Sequence, residues 1–238
     1  ESVVVVSEPF AEYVKNINPQ TKVSIIKNSI VNMAIGEENY KNARHKYRAR
    51  LGIENKKVWI YSGSAYKWQL IPQMISLFKY ASKLEQDLHF LVICRENTGE
   101  IEQIFKKLDL SDDMYTILSV KAEEVMNYLM AGDIGILLRE HSIINEVSDP
   151  LKFVEYLHAG LLVMISKHIG DTEDLVKKHE LGIVLESIDN RELKKYLGPL
   201  NMMLKNRNPL KIINKANALY KFDHSVKAYS DCYQDLMS

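Results

Sequence analysis

Residues 58–94, VWIYSGSAYKWQLIPQMISLFKYASKLEQDLHFLVIC, decide the fold of this chain. They begin with an apolar run over 58–61, continue with apolar residues at helical spacing over 68–84, and end in a second apolar run over 88–94. Continuous apolar runs, rather than alternation with period two, predict strands that are covered on both faces. The stretch therefore predicts a strand–helix–strand unit with parallel strands and a right-handed crossover.

The same alternation continues to about residue 205 and predicts an α/β fold. This is a doubly wound parallel sheet with helices on both faces, similar to a Rossmann fold, followed by a helical C-terminal tail from residue 191. Further strands are predicted over 115–118, 133–138, 162–166 and 183–185. Further helices are predicted over 99–108, 122–130, 150–159 and 172–179.

The first 54 residues follow a different pattern. Strand-like runs lie at 3–6 and 23–26, a helix is predicted over 8–16, and a polar helix over 38–51 ends at Gly52. This segment is too small and too polar to form a core alone. We therefore predict three parts: residues 1–54 as the remnant of a preceding domain plus a linker, 55–205 as the sheet domain, and 206–238 as C-terminal helices.

The composition excludes several functional classes. Lys and Arg total 31, as do Asp and Glu, so a basic field for nucleic acid is absent. The two cysteines, Cys94 and Cys232, form neither a disulfide framework nor a zinc motif, which favours a cytoplasmic protein. No apolar run approaches the roughly 20 residues of a membrane span, and residues 3–6 lack the features of a signal peptide. Because the first residue is Glu1, we expect the chain to be a fragment.

The ligand site is expected at the carboxyl ends of the predicted strands. Ser62, Gly63 and Ser64 follow the first of these strands and precede a helix. A glycine there lets the backbone approach a ligand, helix N-terminal amides attract phosphate, and Lys67 adds a positive charge. An ordinary strand–helix turn would explain the same residues.

The predicted helix over 150–159 carries two charged residues on an otherwise apolar surface. Asp149 is interpreted as its N-cap, Pro150 as its first residue and Gly160 as its C-terminal stop. A helix that is apolar almost all round is buried, so Lys152 and Glu155 need partners. Either they pair with each other at i,i+3, or Glu155 faces the cleft and accepts hydrogen bonds from ligand hydroxyls.

Residues 150–163, PLKFVEYLHAGLLV, resemble the SPxKFxEYLAxGLPV segment of GT4-like retaining glycosyltransferases of the GT-B fold. The resemblance implies that this chain is the donor-binding, C-terminal half of such an enzyme, with most of the acceptor-binding half missing. Supporting matches in the same order are Ser7-Glu8, Lys27-Asn28-Ser29, Tyr61 to Ser64, Lys67-Trp68, Ala131 to Ile136, Ile169 to Asp171 and Leu181 to Val184.

The resemblance also implies roles for individual residues. Glu155 matches the second glutamate of the family's EX7E motif, which holds the ribose hydroxyls, and a carboxylate can accept from two neighbouring hydroxyls. Ser119 and Val120 would meet the base through backbone atoms. The residues implied to surround the diphosphate are Gly63, Ser64, Lys67, Ser148, Leu151 and Lys152.

Two of the departures from the family pattern concern donor binding. The first glutamate of EX7E falls at Val147, which cannot bind a sugar hydroxyl, so neighbouring Glu146 or Asn145 is expected to substitute. The first loop, residues 62–67 after the strand predicted over 58–61, lacks the arginine that many relatives pair with lysine. Arg95 or Arg139 is expected to assist with phosphate.

The expected reaction is retaining transfer of a hexose from a UDP- or GDP-sugar to a hydroxyl of a glycan or lipid-linked acceptor, in polysaccharide biosynthesis. No DxD motif is present, so no metal and no cofactor are expected. Residues 1–54 would belong to the acceptor domain, and 206–238 would pack back toward it. Membrane attachment, if any, would be peripheral and through the missing domain, and the fragment alone is expected to bind donor poorly and transfer nothing. The alternatives are a nucleotide-sugar 2-epimerase and an inert donor-like binding module.

Overall fold

A computed structural model describes residues 2–30 and 35–237 of the chain. The predicted domains also include residues 1, 31–34 and 238, which lie outside the described residues. Within these residues, six parallel strands form one sheet in the order β5-β4-β3-β6-β7-β8. The strands are Lys57–Ser62 (β3), Leu88–Ile93 (β4), Tyr115–Leu118 (β5), Ile134–Leu137 (β6), Leu162–Ser166 (β7) and Gly182–Leu185 (β8). The strand order reverses between β3 and β6, which confirms the doubly wound sheet.

A separate parallel pair, Ser2–Val5 (β1) and Lys22–Ile25 (β2), lies at the N-terminal end of the chain. Helices connect and follow the strands of both sheets. They are Glu8–Ile17 (α1), Glu37–Leu51 (α2), Ile71–Ser82 (α3), Thr98–Lys107 (α4), Ala122–Met130 (α5), Ile143–Glu146 (α6), Leu151–His158 (α7), Thr172–His179 (α8), Asn190–Lys205 (α9), Pro209–Leu219 (α10) and Phe222–Met237 (α11). In the described part of the chain, none of them is long and apolar enough to cross a membrane.

The apolar runs form the strands because helices cover both faces of the sheet. Every residue of β4 is buried. On one face, Phe78 of α3 packs edge-on against Trp59 of β3 and tilts over Phe90 of β4, with ring centroids 5.7 and 5.2 Å apart. Burying aromatic side chains of this size contributes the largest apolar areas of the core. Because the strands are parallel, their carboxyl ends and the loops that follow them lie at the same edge of the sheet.

Two expected helix boundaries were wrong. The helix predicted over 68–84 is interrupted at Leu70, whose φ of 54° is left-handed, and α3 begins after it. Asp149 does not cap α7, because its carboxylate instead accepts the backbone N–H of Asn28 at 2.7 Å. A partner from a distant part of the chain therefore outcompetes the local cap. At the other end, Gly160 has a φ of +69° and follows α7 as expected.

The predicted boundary at residue 54 lies beyond α2, which packs on the sheet domain. Tyr47 of α2 meets Tyr128 of α5 edge-to-face, with ring centroids 4.6 Å apart. The N-terminal strand pair contacts the same domain at its loops, where Ser7 Oγ donates to Val147 O at 2.8 Å. Ser225 of α11 donates to Lys27 O at 3.2 Å, which ties the tail to the N-terminal segment. The three-domain division stays a prediction.

Candidate functional site

A cavity of about 430 Å³ opens at the carboxyl ends of β3, β4 and β5, beside α7. Its volume lies within the range of small-molecule sites. Its apolar side is formed by Ile93, Ala122 and Val125. Six residues that the sequence predicted as donor-binding also line it: Gly63, Ser64, Arg95, Val120, Lys152 and Glu155.

Gly63 brings the first loop close to α7. Its φ of +143° disfavours any side chain, and a Cβ built there would lie 2.8 Å from Lys152 Nζ. The adjoining backbone is fixed by Tyr61, whose hydroxyl donates to Ser64 O at 2.6 Å. Glycine at this position therefore adopts the positive φ without strain and leaves room for the Lys152 side chain against the loop.

Lys152 is buried on the first turn of α7, facing the cavity. Its Nζ donates to Gln69 Oε1 at 2.8 Å and lies 4.0 Å from the ring centroid of Tyr61. Burial lowers the pKa of Lys152 well below its ordinary value, and the charge of Arg139 lowers it further. An anion entering the cavity would stabilise the charged form of this lysine.

Glu155 lies one turn further along α7 and lines the same cavity. Burial raises the pKa of its carboxyl, while the charge of Lys152 opposes that shift. Among the described residues, the structure contains no hydrogen bond or ion pair to the Glu155 carboxylate, so the i,i+3 pair with Lys152, one of the two alternatives for these residues, is not formed. Its oxygens are available to accept from a ligand.

The two other predicted basic residues line a different cavity. Lys67 and Arg139 face a space of about 670 Å³ on the other side of the first loop, whereas Arg95 faces the smaller cavity. Tyr66 lines both, so the two spaces adjoin. Ser119 lines only a shallow depression at the end of β5, together with Arg95 and Val120.

Residues 145–148 and Leu151, the first residue of α7, do not line the smaller cavity. Glu146 Oε1 is 2.5 Å from His141 Nε2, and Ser148 Oγ donates to Asn145 O at 2.8 Å. The side chain of Asn145 donates to Glu140 O at 2.7 Å, and Leu151 is 45% exposed. The expected substitutes for the first EX7E glutamate are therefore both held by neighbours within the protein.

The sequence reasoning missed Tyr66 and the apolar wall. The Tyr66 ring stacks on Trp68 at 4.6 Å, and both side chains are more than 45% exposed. Two large exposed aromatic residues between a strand and a helix were the available signal. Ala122 and Val125 belong to the first turns of α5. Apolar residues at helical spacing are expected in any helix that packs on the core, so they gave no separate signal of a ligand site.

A family model described as "Glycosyl transferases group 1" matches residues 43–218, most of the chain. Comparison with curated proteins finds no match. Several solved structures share the fold. The glycosyltransferase from Rickettsia africae ESF-5 is 14% identical, with a TM-score of 0.75, over 100% of this chain and 64% of that chain.

The Anabaena protein Alr3699/HepE, solved in complex with UDP and glucose, is 17% identical, with a TM-score of 0.70, over 99% of this chain and 62% of that one. The C-terminal domain of a group 1 family protein (LpcC) from Francisella tularensis is 18% identical, with a TM-score of 0.57, over 75% of this chain and 93% of that domain. This chain thus spans less than two thirds of the first two proteins. The likeness shows a Rossmann-like fold of the GT-B type.

Proposed function

Because this chain belongs to the glycosyl transferases group 1 family, we propose that it binds the nucleoside diphosphate-sugar donor of a retaining glycosyltransferase. The observation that carries the proposal is the 430 Å³ cavity, which brings Gly63, Lys152 and Glu155 together at the strand ends. This is the edge at which doubly wound sheets bind nucleotides. The GT4-like pattern of residues 150–163 supports retention.

The three residues divide the donor between them. The Glu155 carboxylate accepts from the two ribose hydroxyls, since it has no other hydrogen-bond partner in the described structure. The Lys152 ammonium and the backbone of the first loop face the diphosphate. The base packs against the apolar wall at Val120 and Val125. UDP is favoured over GDP because the Anabaena relative was solved with UDP, as was TarM of S. aureus.

In this mechanism, Lys152 stabilises the charge that develops on the departing nucleoside diphosphate. A buried ammonium group is already desolvated, so it interacts strongly with that charge and needs little reorganisation. The reaction requires no metal at the diphosphate and no cofactor. The donor is held by the loop after β5 at Val120, by the first loop and by α7. The acceptor hydroxyl comes from a glycan or lipid-linked substrate.

The acceptor side lies in a further domain. This chain spans 64% of the Rickettsia enzyme's length, which supports a further domain on the acceptor side. Residues 1–54 would be the remnant of that domain plus a linker, and residues 206–238 would pack toward it. We therefore expect weak donor binding and no transfer by this chain alone. A cytoplasmic location is part of the proposal, supported by the free thiols of Cys94 and Cys232.

Titration calorimetry of the whole protein with UDP and with GDP tests the proposal. We expect UDP to bind, and Glu155→Gln to weaken the affinity about 10–100-fold, because hydrogen bonds to a charged acceptor are worth about 1.5–3 kcal/mol. Glu102→Gln, which alters an exposed carboxylate on α4, is the matched control and should leave the affinity unchanged.

Two outcomes separate the alternatives. If neither nucleotide binds to the whole protein, the result supports an inert donor-like module, which the valine at position 147 would favour. If UDP binds equally well to the wild type and to Glu155→Gln, the assignment of the ribose site is wrong. Incubating the whole enzyme with a UDP-sugar alone distinguishes a transferase from a 2-epimerase, because only an epimerase converts the donor without an acceptor.

A further inference from the structure

Three potential metal ligands converge where the loops leave β6 and β7. They are His141, Glu146 and His168, and their ligand atoms all lie within 4.8 Å of one another. His141 Nε2 is 2.5 Å from Glu146 Oε1. The two imidazole rings stack with centroids 4.5 Å apart and an interplanar angle of 27°.

The fold holds the two loops together by contacts that do not involve these three side chains. β6 and β7 are adjacent parallel strands, so their loops emerge side by side. Ser166 Oγ accepts the backbone N–H of Arg139 at 2.9 Å, and Gly170 N–H donates to Asn145 O at 3.1 Å. The two loops that carry the three side chains are therefore held side by side without an ion.

The donor atoms of this cluster suit a cation, because two imidazoles and one carboxylate each offer it one ligand atom. The nearest lysine in sequence, Lys167, forms an ion pair with Glu186 and does not compete for Glu146. Two neutral imidazoles and one carboxylate would together offer a divalent ion one negative charge and two nitrogen ligands.

We propose that His141, Glu146 and His168 bind a zinc ion. Two histidines and one glutamate are a ligand set that suits zinc and leaves one coordination position for water or another ligand. Imidazole ligands disfavour magnesium and calcium, which prefer oxygen. Bound zinc would link the loop after β6 to the loop after β7.

The zinc site is separate from the proposed donor contacts. His141 and His168 line the larger cavity, whereas Lys152 and Glu155 line the smaller one. Tyr66 lines both cavities, so the two sites are neighbours, but none of the three proposed zinc ligands is among the proposed donor contacts.

Calorimetric titration of the metal-free, untagged chain with ZnCl₂ tests the site. We expect one zinc ion per chain, and at least tenfold weaker binding in His168→Ala and in Glu146→Gln. Cobalt(II) should produce visible d–d absorption bands that are lost in His168→Ala. Glu146→Gln keeps the size of the side chain, so it distinguishes loss of a ligand from loss of the fold.

His45→Ala removes an exposed histidine on α2 and serves as the control, which should bind zinc like the wild type. MgCl₂ should give no heat. Absence of zinc binding to the wild type would overturn the proposal, as would equal affinity in His168→Ala and the control. UDP titration of the same samples reports on the donor proposal separately, so the two can fail independently.

Discussion

Asp149 is the carboxylate that connects the N-terminal segment to the loop before α7. It accepts the backbone N–H of Asn28 at 2.7 Å, and Asn28 Nδ2 donates to Asp149 O. Burial raises the pKa of Asp149 to about 6, although the Asn28 N–H and the charge of Lys27 oppose the shift. Between about pH 4 and pH 6, the Asp149 carboxyl therefore keeps its proton in the folded protein and loses it in the unfolded chain.

This shift predicts that Asp149 lowers the free energy of unfolding as the pH rises. Its folded pKa is raised, so its contribution is fully present below about pH 4 and is lost through about pH 6. Two pKa units correspond to at most about 3 kcal/mol. In urea unfolding, the wild type should lose about 1–3 kcal/mol relative to Asp149→Asn between pH 4 and pH 6.

The comparison with Asp149→Asn removes the titration of all other groups, which both proteins share. Asp174→Asn, at an exposed position on α8, is the control for a generic loss of charge. A difference in stability between the wild type and Asp149→Asn that stays constant from pH 4 to pH 7 would refute the assignment.

At the scale of elements, the contact between β6 and α7 positions the site. Gly135 of β6 lies under the ring of Tyr156, whose hydroxyl accepts the Ser62 backbone N–H at 3.0 Å. A Cβ at Gly135 would be 2.4 Å from that ring. Glycine therefore lets α7 pack close to the sheet, which places Lys152 and Glu155 at the strand ends.

Gly135→Ala is expected to destabilise the protein by about 1–3 kcal/mol through overpacking. The control is Gly99→Ala on α4, where an added Cβ meets no described atom within 4 Å. That change should stabilise by up to about 1 kcal/mol, because alanine restricts the unfolded chain. Urea midpoints measure both, and a Gly135→Ala protein as stable as the wild type would show that α7 can shift freely.

At the scale of the whole molecule, Asp133 joins three segments that are distant from one another in sequence. Its carboxylate contacts Arg44 at 2.6 Å and Arg48 at 3.3 Å on α2, and Arg207 at 3.2 Å between α9 and α10. It also accepts the N–H of Val58 at the start of β3. Burial alone would raise its pKa, but the three arginines hold the pKa below its ordinary value.

Asp133→Asn should cost about 3–5 kcal/mol of unfolding free energy, because it leaves buried guanidinium groups without a countercharge. The urea midpoint of Glu37→Gln, which breaks the exposed pair with Lys41, should by contrast match that of the wild type. If both variants unfold at the same urea concentration, the Asp133 cluster is not what joins α2 to the sheet.

The sequence by itself determined the sheet domain and part of the site. Strands buried on both faces need continuous apolar runs, so the predicted bounds of β3 to β8 agree with the structure to within one residue at each end. Gly160 was predictable as a helix stop because its role depends on its own backbone angle. Gly63 and Glu155 follow from strand and helix positions, which place them at the sheet edge.

Only the tertiary structure decided where the loop side chains go. Lys67 and Arg95 both follow predicted strands, yet they line different cavities. Glu146 lies against His141, and Asp149 bonds to Asn28 instead of capping α7. The periodic burial that specifies strands and helices is absent from loops. There, each side chain takes its direction from partners contributed by distant parts of the chain, and no local pattern encodes them.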